Sequence, residues 1–85
     1  MVLMNLELAP LATMWRIKSV NADPTDRDRA THLQEIGFIQ GEHVSVLARA
    51  LPGGDPLVVR IGLSTFALRR AEARCIEIEP DVSNV

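Results

Sequence analysis

From Gly53 to Glu79 the chain is a succession of short, alternating apolar stretches broken by turn formers, and that rhythm restricts its fold more than any other feature. In "PLVVRIG", Leu57, Val59 and Ile61 lie on one side and Val58 and Arg60 on the other. A tight connection from Gly62 to Thr65 leads into "FALRR", with Phe66 and Leu68 inward. A short "AEA" turn, expected to be of 3₁₀ type, precedes "CIEIE", with Ile76 and Ile78 inward. Period-two alternation of this kind marks half-buried strands. Several such strands at roughly ten-residue spacing favour a small β-barrel over a parallel α/β sheet.

The first half of the chain fits the same plan. "MWRIKSV" (Met14 to Val20) sets Trp15 and Ile17 against Arg16 and Lys18, as a first strand would. "NADPT" stops it, and either Asp23 or Thr25 can cap the helix that follows, Thr25 with Asp28 three residues on. Ala30, Leu33 and Ile36 form the apolar stripe of that short helix, and Gly37 stands where a left-handed C-terminal residue is wanted. After Phe38, Ile39 and a turn at Gly41, the second strand places Val44, Val46 and Ala48 inward and His43, Ser45 and Arg49 outward. The fold expected is mainly β: a barrel of about five strands with one short α-helix between the first and second. "LPGGDP" is a loop, in which Gly53 and Gly54 supply positive φ values and Asp55 with Pro56 launches the third strand.

At 85 residues the chain has room for one core, expected over about residues 7–79 with flexible termini, and it removes only about 60–65% of its unfolded surface on folding. A lone cysteine, Cys75, rules out an intramolecular disulfide and suits a reducing compartment. Glu7 and Pro10 interrupt the apolar N-terminal stretch, so neither an export leader nor a membrane span is expected.

The net charge of −2 argues against a general nucleic-acid binder. The distribution is uneven: residues 60–74 carry Arg60, Arg69, Arg70 and Arg74 against Glu72, while residues 75–85 carry Glu77, Glu79 and Asp81. No nucleophile elbow, phosphate-binding loop or Cys-x-x-Cys pair is present, which argues against an enzyme. Asp28, His32 and Glu35 fall on one face of the expected helix and make a weak surface candidate for a divalent metal such as zinc. Such an open site lacks the full ligand set of a dedicated one, so no physiological metal or cofactor is expected. Cys75, next to inward Ile76, is expected near the surface.

The segment "LQEIGFIQGEHVSVLARALPGGDPLVVRIGLSTFALRRAEARCIEIE" (Leu33 to Glu79) closely resembles the FeoA family of bacterial ferrous iron transport accessory proteins. The likeness lies in an ordered set: a Leu-x-Glu-Ile-Gly-Phe helix end, a Gly-x-x-Val-x-Val turn and strand, a Gly-Asp-Pro-Leu loop, and Ala-Leu-Arg followed by Glu-Ala. The family often has a Lys-Pro-Gly-like turn before the first strand, where this chain has "LAPLAT". The resemblance implies an SH3-like barrel and a non-enzymatic, cytoplasmic accessory role beside the FeoB-type transporter, whose cytoplasmic part is G-protein-like. It leaves three alternatives: a regulatory module of a metal-dependent transcriptional system, a weak transition-metal binder, and a reader of proline-rich peptides. The last is disfavoured by the absence of tyrosine, since polyproline grooves are lined with aromatic rings. The expected docking residues are the Gly53, Gly54, Asp55 loop, outward Val58, Arg60 and Arg69 on neighbouring strands, and the Arg70, Glu72 turn. Arginines there could grip a carboxylate-rich partner. Weak self-association is left open.

Overall fold

A computed structural model describes residues 4–81. The flexible ends expected from the sequence fall largely on residues 1–3 and 82–85, outside the described residues. The elements are β1 (Met4–Asn5), a single 3₁₀ turn (Leu6–Leu8), β2 (Trp15–Val20), α1 (Arg29–Glu35), β3 (His43–Arg49), β4 (Leu57–Ile61), β5 (Ser64–Leu68), α2 (Arg70–Arg74) and β6 (Ile76–Pro80). The strands make one antiparallel sheet in the order β1-β6-β2-β3-β4-β5. The expected helix therefore lies between β2 and β3, and a two-residue edge strand, β1, adds to the five strands expected.

The expected strands put their inward apolar residues inside with one exception, Ala48. Ile17, Val44, Val46, Leu57, Val59, Ile61, Leu68, Ile76 and Ile78 form one buried cluster with Leu33 and Phe38, against which Trp15 and Phe66 pack. Leu6, from the turn after β1, is fully buried in the same cluster, so the core begins earlier in the chain than its alternation suggests. Helix α1 closes as its glycine predicts. Gly37 has φ +121°, its amide bonds the Gln34 carbonyl at 3.2 Å, and the Phe38 amide bonds the Leu33 carbonyl at 2.9 Å. That pair of bonds is a Schellman closure, and the buried Leu33 and Phe38 side chains are its apolar counterpart.

Several local expectations fail for identifiable reasons. Asp23 and Thr25 do not cap α1. The Asp23 carboxylate accepts from the Thr25 amide and hydroxyl, at 2.8 and 2.7 Å, and so builds a turn four residues before the helix begins. Ala48 is exposed, because the β3–β4 register shifts between Val46 and Ala48 and the bulge sets Ala48 opposite outward Val58 and Arg49 opposite inward Leu57; Ser45, before the bulge and opposite outward Arg60, is buried within the outward groove. The β4–β5 connection is only Gly62–Leu63: Ile61 pairs with Ser64, and φ is +57° at Gly62. A positive φ at the first central residue alone is the mark of a type II′ hairpin. β5 therefore ends at Leu68, and Arg69 lies beyond it as the N-cap of α2 rather than on a strand face. The "AEA" turn is α-helical. Cys75 is buried, 7% exposed, at the C-terminal end of α2 beneath Asp23.

Candidate functional site

The arginines between residues 60 and 74 divide into two pairs of opposite character. Arg70 and Arg74 lie one turn apart on α2 and both reach Glu7, whose carboxylate accepts from Arg70 Nε at 2.6 Å and Arg74 Nε at 2.9 Å. Glu7 is only 12% exposed, and hydrogen bonds from Arg74 and then Arg70 hold its carboxyl below the usual glutamate range. Arg49 completes the corner by donating to the Glu7 and Ala9 carbonyls, at 2.5 and 3.0 Å. Three arginines thus anchor the N-terminal segment over α2.

Asp55 and Glu72, expected in the docking set, cap the same helix. Asp55 accepts from the Arg70 amide at 3.2 Å and Glu72 from the Arg69 amide at 2.8 Å. Carboxylates at the first amides of a helix are favoured by its dipole and satisfy otherwise orphaned donors. Gly53 and Gly54 have φ +88° and +76°, as the loop requires. Asp55, Arg70 and Glu72 are brought together, but around a helix end that they complete themselves.

Arg60 and Arg69 carry no ion pair among the described residues. Arg60, on the outward face of β4 opposite Thr65, donates only to the Gly62 carbonyl at 3.3 Å. It borders a groove to which Met14, Leu47 and Leu63 come from three separate parts of the chain, with Glu42, His43 and Asp81 at its polar rim. Leu63, in the hairpin turn, is 95% exposed; Met14 is 50% and Leu47 43% exposed. None of these three belongs to the docking set expected from the sequence, although a leucine in a two-residue turn is itself a signal. At the rim, Asp81 joins Arg16 and His43, both at 3.3 Å. Arg69 opens onto a polar cleft shared with Asp26, Asp28, Arg29, His32 and Glu72. Val58, half-buried, lies between the two arginines on the hairpin's outward face, paired with Ala67.

Asp28 and His32 do share that cleft, but Glu35 does not line it, and the described residues contain no group of three or more side chains able to hold a metal. Burial is the main cause that raises the Cys75 thiol pKa, with the Asp23 carboxylate second, which keeps the thiol protonated and unreactive near neutral pH. No described helix is long and apolar enough to cross a membrane.

A six-stranded antiparallel sheet with a short helix between β2 and β3 defines a small SH3-like module. The FeoA domain model matches residues 4–80, and the chain belongs to the FeoA family of non-enzymatic accessory proteins implicated in ferrous iron transport. FeoA of Stenotrophomonas maltophilia, crystallised with zinc and described as a prokaryotic SH3-domain protein, is 37% identical with a TM-score of 0.81, over 89% of each chain. Iron(II) transport protein A of Clostridium thermocellum is 32% identical with a TM-score of 0.77, over 92% of this chain and 46% of that one. A manganese-dependent transcriptional repressor shares the fold at 18% identity and a TM-score of 0.74, over 89% of this chain and 40% of that one. No curated protein matches the sequence.

Proposed function

We propose that this chain is a cytoplasmic docking module of ferrous iron uptake that binds the G-protein-like domain of a FeoB-type transporter. The docking face is the outward side of the β4–β5 hairpin, with Val58, Arg60 and Arg69, together with the adjoining groove of Met14, Leu47 and Leu63. The observation that carries the reading is the groove itself: three large apolar side chains from distant parts of the sequence stand exposed together, beside an arginine that makes no ion pair among the described residues. Contiguous exposed apolar surface with a polar rim is characteristic of protein–protein contact. The Gly53–Asp55 loop and the Arg70–Glu72 turn border this face as its scaffold.

A module of this kind acts by binding one state of its partner better than another, which shifts the partner's nucleotide cycle or its open state. Calorimetry of the chain against the transporter's purified soluble domain, with and without nucleotide, tests the proposal. Binding that Leu63→Asp weakens at least about tenfold is expected, since burying a charge in an apolar contact costs more than 1.4 kcal/mol. Undiminished binding by Leu63→Asp moves the interface elsewhere.

A further inference from the structure

β5 ends the sheet, and nothing in its sequence guards that edge. Edge strands in natural proteins are blunted by charge, proline, bulges or shortness, or are covered by another element. The opposite edge, β1, is only two residues long. β5 is five residues long, pairs with β4 in unbroken register from Ile61↔Ser64 to Leu57↔Leu68, and reads Ser-Thr-Phe-Ala-Leu, without charge, proline or glycine. Among the described residues, β4 is the only element with more than marginal contact along it.

The register says which backbone groups are free. In a two-residue hairpin the closing pair exchanges both hydrogen bonds, and paired and unpaired positions then alternate. Ser64, Phe66 and Leu68 therefore direct their amides and carbonyls to β4, while Thr65 and Ala67 direct theirs to the open side. Neither of those two residues appears in any other backbone hydrogen bond among the described residues, and both are exposed with short side chains. On the inner face Phe66 is held against Phe38, ring centroids 6.0 Å apart, so the strand is fixed in place.

The two unpaired arginines flank this edge. Arg60 stands opposite Thr65 on β4, and Arg69 follows Leu68 directly. An added strand would lie about 4.8 Å beyond β5, next to Arg69, and about 9.6 Å from β4, a span that the Arg60 side chain and an acidic side chain on the added strand bridge only between them. From this geometry we infer that β5 accepts an acidic, extended segment of the docking partner as a further strand of the sheet, an inference that rests on the docking reading above. Main-chain bonds to Thr65 and Ala67 give such a segment its register, and its carboxylates meet Arg60 and Arg69. A second copy of this chain is the poorer occupant. Pairing two β5 strands about a two-fold axis brings Arg69 of each copy toward the Arg60 end of the other, two cations that no ion pair among the described residues neutralises.

Amide hydrogen exchange of the full chain, alone and with the purified soluble domain of a FeoB-type transporter, tests the inference. The Thr65 and Ala67 amides should exchange rapidly in the free chain and at least about tenfold more slowly in the complex. Ala67→Pro should weaken binding at least about tenfold while leaving the unfolding midpoint nearly unchanged, because the amide it removes gives nothing to the β4 ladder. Should that variant fail to fold, exchange in the unaltered chain decides alone. A complex in which both amides stay unprotected overturns the added strand and leaves docking standing; no complex at all overturns both. A dimer of the chain alone that Ala67→Pro abolishes would assign the edge to a second copy.

Discussion

The corner around α2 and the outward face of the β4–β5 hairpin each draw two arginines from the same fifteen residues of sequence, 60–74, yet those arginines end in opposite states. In the corner, Arg70 and Arg74 close on Glu7, Arg49 closes on two carbonyls, and Asp55 and Glu72 take the first amides of the helix. At the hairpin and just beyond it, Arg60 and Arg69 make no ion pair, Leu63 stands almost wholly in solvent, and one side of β5 has no strand partner among the described residues. The lesson is that a basic strip in a sequence is not one object. Satisfied charges hold a fold together, whereas unsatisfied ones beside an apolar groove are available to another molecule.

The largest effect expected is on the core that both regions share. Leu68, the last residue of β5, is 2% exposed, and Leu68→Ala should cost about 2–5 kcal/mol in denaturant unfolding, a large share of a small domain's stability. An unchanged midpoint would mean that the hairpin does not rest on this core. Next in size is the contrast between arginine pairs. Arg70→Ala with Arg74→Ala should lower stability by about 1 kcal/mol, the pairs being partly exposed, whereas Arg60→Ala with Arg69→Ala should stay within about 0.5 kcal/mol of the parent. Equal losses from the two double variants would erase the distinction between the regions.

Acid sharpens the same contrast. Because Arg74 and Arg70 lower the Glu7 pKa in the folded state, the stability Glu7 contributes is present above the ordinary carboxylate range and is lost as pH falls through the lowered folded value. The stability gap between the parent and Glu7→Gln should therefore be widest near neutral pH and narrow as pH falls below the ordinary glutamate range. A gap that does not change with pH would show that the arginines are not held by the Glu7 charge. The smallest effect lies at the groove. Ala12 is the one described non-glycine residue with positive φ, at +61°, so Ala12→Gly should stabilise the chain by about 0.5 kcal/mol net of the extra freedom glycine gains when unfolded. A destabilised variant would remove backbone strain from the account of this segment.

The sequence was legible wherever a rule spans a few residues. Alternation found every inward residue of β4 and β6, and Gly37 marked the end of α1 because only a local left-handed turn was at stake. The failures are contacts between distant segments. The bulge that turns Ala48 outward exists only through pairing with β4. Leu6 is buried because Arg49, Arg70 and Arg74 fold the N-terminal segment over α2, across more than forty residues. The same contacts engage Arg70 with Glu7, and Met14, Leu47 and Leu63 form a groove only once three parts of the chain meet. Of the expected set, Arg60 and Arg69 make no ion pair among the described residues, and Val58 faces outward on β4.

The central claim is that these two arginines face a partner rather than solvent. The association rate of the transporter's soluble domain with the parent and with Arg60→Glu, Arg69→Glu, followed from about 0.02 to about 0.5 M salt, tests it most directly. The account predicts association slowed about tenfold or more at low salt, with the two rates converging as the ions screen the interaction. Equal rates at every ionic strength, with both proteins folded, would contradict it.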